Sequence, residues 1–234
     1  MQEIMTVEKM KMRLKEIEHY KRFPVMIPFI GKNYISNNHK RLLVVAESYY
    51  FDKKATDHLD AEKWYSMTEK DIKDQNLLDW INCERLLREV RKKWNPRSGH
   101  KIYIEINNGL VLAGVKSATK KKYEEIEEIA FTNFFLRPAM DGKTFFTNGY
   151  KKTIDDEKGL KVFGNVISIL KPDIILFVSK RIYDTYGTKL KELFPNENIN
   201  YVCHPACYRW WNRKTYKFSK YKLIELLKNS FFIL

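Results

Sequence analysis

Apolar positions recur with a helical period in some stretches of this chain and as short unbroken runs in others. Residues 6–22 place Val7, Met10, Leu14 and Ile17 on one stripe with charged flanks, which predicts a packing helix. Residues 23–40 hold Pro24, Pro28, Gly31 and paired asparagines, and read as an irregular arm leading into the core. Leu-Leu-Val-Val-Ala at 42–46 suits a central strand buried on both faces. Between 60 and 94, Leu77, Ile81, Leu86, Leu87 and Val90 return at helical spacing, with Trp64, Trp80 and Trp94 as packing residues, until Pro96 and Gly99 break the pattern. Residues 102–115 admit two readings. Asn108-Gly109 would suit a tight hairpin, but Ile102, Ile106, Leu110 and Ala113 also share one helical face, and helix is favoured.

The rest of the chain keeps alternating. Lys120, Lys121 and Lys122 open a charged stretch, with Glu124 and Glu125 close behind, that reads as a solvated helix. Residues 129–135 form a second strand, ending in Phe-Thr-Asn-Phe-Phe. A helix at 158–170 is stopped by Pro172, and 173–178 is a third strand. A helix at 183–193, a fourth strand at 198–203 and a last helix at 220–227 complete the pattern. Strands alternating with crossover-length helices predict a parallel sheet covered on both faces. No repeat or low-complexity linker divides the chain, so the expectation is one α/β domain over 41–234, with residues 1–40 as an N-terminal helix and arm packed on it.

Charge changes this picture most. Forty-three Lys and Arg against 29 Asp and Glu leave +14 on 234 residues. Such an excess favours polyanions, because each neutralised phosphate releases condensed counterions. A hydrophobic fraction of 44% supplies a real core, but no run is long and apolar enough to span a membrane. Charged residues from Glu3 to Lys11 interrupt any signal-peptide pattern, so a cytoplasmic protein is expected. The cysteines, Cys83, Cys203 and Cys207, are odd in number and give no disulfide framework. Cys203 and His204 would point to opposite faces of a strand, which argues against a metal site with Cys207.

Candidate chemistry gathers in 201–214, Tyr-Val-Cys-His-Pro-Ala-Cys-Tyr-Arg-Trp-Trp-Asn-Arg-Lys. A titratable histidine beside a proline is followed at once by stacking and cationic side chains, as chemistry on an extruded base requires. The stretch follows a strand, so these groups should emerge at the C-terminal edge of the sheet, where open α/β folds bind ligands. Two other segments are assigned to the same edge: Ala46-Glu47-Ser48-Tyr49-Tyr50 after the first strand, and Thr132-Asn133 at the end of the second.

The order of these three segments resembles the uracil-DNA glycosylase superfamily, with 131–138 and 170–183 similar to a small bacterial glycosylase-like branch. In that superfamily a Gly-Glu or Gly-Gln motif, an Asn on a later strand and a terminal His-Pro loop surround the flipped base. The resemblance runs from about residue 29 to about residue 227. It implies a three-layer α/β/α fold around a central four-stranded parallel sheet. It also implies hydrolysis of the N-glycosidic bond of a damaged pyrimidine in single- or double-stranded DNA, without metal or organic cofactor; the sequence leaves the oligomeric state open, with a monomer favoured.

Each matched residue then has a task. His204 would hydrogen-bond the base carbonyl as negative charge grows there, with Pro205 holding the loop rigid. Asn133 would read the base edge through its amide, which offers both a donor and an acceptor. Glu47 would orient the attacking water or stabilise the cationic sugar. Ser48, Tyr49, Tyr50 and Phe51 would line the base. Arg209, Arg213 and Lys214 would hold phosphates while Tyr208, Trp210 or Trp211 fills the gap in the stack.

Departures from the superfamily accompany the match. Ala46 replaces the usual glycine, and Ser48 stands where the best-known branch carries its water-activating aspartate. Three cysteines do not supply the four ligands of the iron–sulfur branch. The competing expectations are therefore a glycosylase-fold protein that binds DNA or RNA without catalysis, and a binder of free nucleosides or nucleotides.

Overall fold

A computed structural model describes residues 5–117, 121–140, 145–147, 150–207, 210 and 219–233. Its chain forms an α/β structure with one five-stranded sheet in the order β1-β3-β2-β4-β5. The strands are β1 (Phe29–Ile30), β2 (Leu42–Phe51), β3 (Ala130–Met140), β4 (Ile174–Phe177) and β5 (Asn198–Tyr201). By contacts the chain divides into two compact units. The first takes Met1–Phe29, Glu47–Leu86 and Thr132–Lys171; the second takes Ile30–Ala46, Leu87–Phe131 and Pro172–Leu234.

In the second unit the parallel ladder is the one the apolar runs predict. Leu42 to Val45 pair with Ile174 to Phe177, and these pair in turn with Asn198 to Tyr201. Leu42–Val45 and Ile174–Phe177 are all buried, as strands covered on both faces require. Helix α7 (Lys180–Leu193) returns the chain from β4 to β5, with Ser179 capping its first turn through the Ile182 N–H.

Helix α5 (Lys101–Ala113) resolves the ambiguity of 102–115 in favour of helix. Its apolar face is buried, and Asn107 accepts from the Ile126 N–H while its amide donates to Glu125. Gly109 lies inside this helix, and its missing side chain makes room where helix α8 (Ser219–Ser230) packs against it. A Cβ on Gly109 would lie 2.4 Å from a Leu223 methyl. The true stop is Gly114, in the left-handed region at φ 100°.

The same unit buries charge that the sequence made look solvated. Glu124 and Glu127 pair with Arg91 at 2.6 and 2.8 Å, and Arg88 reaches Glu127 at 3.1 Å. Burial pushes the Glu127 carboxyl up, but the Lys32 N–H and both guanidinium groups outweigh it and hold it below its usual range. Glu128 meets His39 Nε2 at 2.9 Å, and the imidazole stacks on Phe231.

In the first unit, α1 (Val7–Lys15) and α2 (Glu18–Arg22) stand where one helix is expected. Ile17 is extended between them and turns its side chain inward, so burial breaks a stripe that periodicity would continue. Residues 60–94 fold as short pieces: α3 (Ala61–Ser66), α4 (Leu78–Ile81) and tighter or wider turns between and after them. Helix α6 (Lys152–Leu170) begins six residues before the expected start.

Two expectations about the sheet are corrected. It has five strands rather than four and is mixed rather than wholly parallel. The added strand, β1, has only two residues between Pro28 and Gly31, too few for a periodic signal. Just past it, Gly31 and Asn33 donate to the carbonyls of Ile129 and Glu127, a run of opposite direction. Among the described residues, no helix is long and apolar enough to cross a membrane.

Candidate functional site

Glu47 is not in the turn after the first strand, as the motif suggests. β2 continues through Phe51, so residues 47–51 are strand, and neighbouring side chains alternate between faces. Glu47 is half-buried, and its Oε1 accepts from the Phe145 N–H at 3.0 Å. The Phe145 ring stacks on Phe135 at 4.4 Å, and the Arg137 guanidinium lies 4.9 Å from its centroid. A carboxylate so placed has a fixed orientation.

The base-lining residues are more deeply placed than expected. Tyr49 is buried, its hydroxyl donating to the Met26 carbonyl at 3.0 Å. Phe51 is fully buried, edge-on to Trp64 and His58. Ser48 is buried with no partner for its hydroxyl, and Tyr50 is half-buried. Tyr49 and Phe51 are thus packing residues in this structure, held by side chains distant in sequence.

Asn133 lies within β3 rather than at its end and is 7% exposed. Its Nδ2 sits 4.0 Å from Cys83 Sγ, which is 4.0 Å from the Tyr49 hydroxyl. Burial pushes the Tyr49 phenol well above its usual range, against the lowering effect of a hydrogen bond from Asn133. Burial likewise pushes the Cys83 thiol up to about 12, so the sulfur stays protonated. This asparagine is engaged in a buried Tyr–Cys–Asn cluster of the first unit.

The first unit also holds a buried charged cluster outside the three motif segments. Arg137 and Asp155, both with 0% side-chain exposure, pair through two hydrogen bonds of 3.0 and 2.5 Å. Tyr65 donates to Asp155 at 3.0 Å, the Lys151 N–H donates at 2.7 Å, and Arg137 Nη1 donates to the His58 carbonyl at 2.9 Å. A lone arginine inside Phe-Phe-Leu-Arg-Pro was the available signal, because a charge in a buried strand must be paired.

The His-Pro loop belongs to the second unit and follows β5. Cys203 is buried, its N–H donating to Ser219 Oγ at 3.0 Å. The His204 ring is half-buried, and its Nδ1 accepts from the Ala206 N–H at 3.1 Å. Pro205 is buried, and the Cys207 N–H donates to the His204 carbonyl at 2.8 Å, closing the turn. Because Nδ1 serves as acceptor, the neutral ring carries its proton on Nε2.

Trp210 departs from expectation. It is 0% exposed, and its indole N–H donates to Glu105 on α5 at 3.1 Å, with Lys220 3.7 Å from the same carboxylate. It packs the loop onto the unit and presents no wedge. Tyr208, Arg209, Trp211, Arg213 and Lys214 lie outside the described residues. Of the expected residues, Glu47, Ser48, Tyr49, Tyr50, Phe51 and Asn133 fall in the first unit, and His204 and Trp210 in the second. Among the described residues, no group of three or more His, Cys, Asp or Glu is placed to hold a metal ion. No family model matches the chain, and no curated protein matches it.

Proposed function

We propose that this protein acts on nucleic acid as a uracil-DNA glycosylase-like hydrolase, with the three-layer form of the fold that the resemblance implies. The observation that carries the reading is the hydrogen bond that His204 Nδ1 accepts from the Ala206 N–H at 3.1 Å. A backbone N–H fixes Nδ1 as acceptor, so Nε2–H is the donor, held in a proline-stiffened turn after a parallel strand. An imidazole in that state donates its Nε2–H to a base carbonyl oxygen while negative charge accumulates there, without first being protonated to imidazolium. In the reaction the bond between the anomeric carbon and the base nitrogen breaks. Water adds its oxygen to that carbon and gives up a proton, and the base leaves protonated.

A test is release of uracil from uracil-containing single- and double-stranded DNA, read as alkaline scission at abasic sites. His204→Ala should lower the rate by about two to three orders of magnitude, the usual effect of removing such a donor. Wild-type protein that leaves every such strand intact would defeat the hydrolase reading. A second reading, a glycosylase-fold protein that binds nucleic acid without cleaving it, is favoured by the burial of Asn133 and Ser48. It predicts salt-dependent DNA binding with no scission.

A further inference from the structure

On α7, β5 and α8, three lysines are arrayed on a pair of tyrosine rings. Tyr201 closes β5 and Tyr183 lies in the first turn of α7, with ring centroids 4.4 Å apart and planes 32° from parallel. From α8, the Lys222 ammonium comes within 3.5 Å of the Tyr201 centroid. Lys180 lies 5.7 Å from that same centroid, and Lys191 lies 5.4 Å from the centroid of Tyr183. All of these groups belong to the second unit.

The rings attract these cations through their quadrupoles without neutralising them. Lys180 has a carboxylate partner, Asp184, one turn along α7. Lys222 and Lys191 have none among the described residues. Burial first, and then the like charge of Lys180, push the Lys222 ammonium below its usual range, although Cys203 acts the other way. Two cations are thus brought to one ring with a single carboxylate between them, an arrangement that an incoming anion relieves.

We propose that Lys222, Lys180 and Lys191 form a track for successive phosphates of a single-stranded nucleic acid. Several lysines strung over successive rings match the repeated charges of a strand, whereas a free phosphate calls for donors converging on one point. Tyr201 precedes His204 by three residues, so the track adjoins the His-Pro loop along the chain. The inference rests on the nucleic-acid reading above but not on base cleavage.

The test is anisotropy of labelled oligothymidylate bound to the full-length protein over a range of salt concentrations. K180Q/K222Q should bind roughly tenfold more weakly. Its log–log salt slope should be smaller by about 1.4, at about 0.7 per phosphate contact on a single strand. K180R/K222R should bind like wild type, separating lost charge from lost packing on Tyr201. K191Q, at an exposed position, should lower the slope by about 0.7 without touching the core. Wild-type binding with unchanged affinity and slope in K180Q/K222Q and K191Q would overturn the track and leave the nucleic-acid reading standing. Absence of any salt-dependent binding by wild type would overturn both. Inorganic phosphate that competes as well as oligothymidylate, at equal phosphate concentration, would overturn the assignment to a strand.

Discussion

Asp155→Ala is expected to be the most damaging single replacement in the first unit. Both oxygens of this carboxylate are in use. One accepts from Arg137 Nε and the Tyr65 hydroxyl, and the other from Arg137 Nη2 and the Lys151 N–H. Neither partner of the ion pair has any side-chain exposure, so water does not take the carboxylate's place beside the guanidinium. Removing one partner of a buried pair costs about 3–5 kcal/mol, because the remaining charge stays desolvated. A Tyr65 hydroxyl left without its acceptor adds about 1–3 kcal/mol. Against a total stability of about 5–15 kcal/mol, the variant should be close to unfolded or markedly weakened. Urea unfolding followed by tryptophan fluorescence measures this. With a slope of about 2 kcal/mol per molar, a loss of about 4 kcal/mol lowers the midpoint by about 2 M. The companion variant carrying both Arg137→Met and Asp155→Leu removes both charges and should recover much of the loss. A fall of less than about 1 kcal/mol in Asp155→Ala would refute the argument that desolvation, rather than the contact itself, sets the magnitude.

Three further outcomes follow from burial. Acid should destabilise the protein through His19 and His58, which burial holds neutral by lowering their pKa from 6.5 to about 3 and about 4. The unfolded chain protonates these rings below about pH 6.5, so stability is lost as pH falls from there. Each ring contributes up to about 1.4 kcal/mol per pH unit, and His19→Phe should flatten that slope in urea titrations across pH 4–6.5. Trp210→Ala should cost about 3–5 kcal/mol in denaturant unfolding, because it empties a fully buried site and removes the indole donor of Glu105. With a thiol-reactive reagent at neutral pH, half-exposed Cys207 should react first and Cys83 only on unfolding, since burial keeps the Cys83 thiol protonated.

The candidate site was legible in its residue types and much less so in its placement. His204 and Pro205 form the stiff turn that the dipeptide suggests, because a proline and two hydrogen bonds from backbone N–H groups, one to the His204 ring and one to its carbonyl, act over a few residues. Glu47, Tyr49 and Phe51 were assigned to a turn because the apolar run stops at Ala46. The strand continues because distant groups bury the later residues: Met26 for Tyr49, Trp64 and His58 for Phe51. Trp210 looked like a wedge among cations, yet Glu105, on a helix about a hundred residues earlier, takes its indole N–H.

By itself the sequence determined the alternation of strands and helices from residue 101 onward and favoured the helical state of α5. Periods of two and 3.6 residues are local properties of the chain. Tertiary structure alone decided that β1 joins the sheet and that one predicted helix breaks at Ile17. It also decided that Glu124, in a stretch that reads as solvated, is buried, and that Arg137 has Asp155 as its buried partner. Those outcomes depend on which remote group lies opposite, and burying a charge or a two-residue strand is favourable only when that partner is in place.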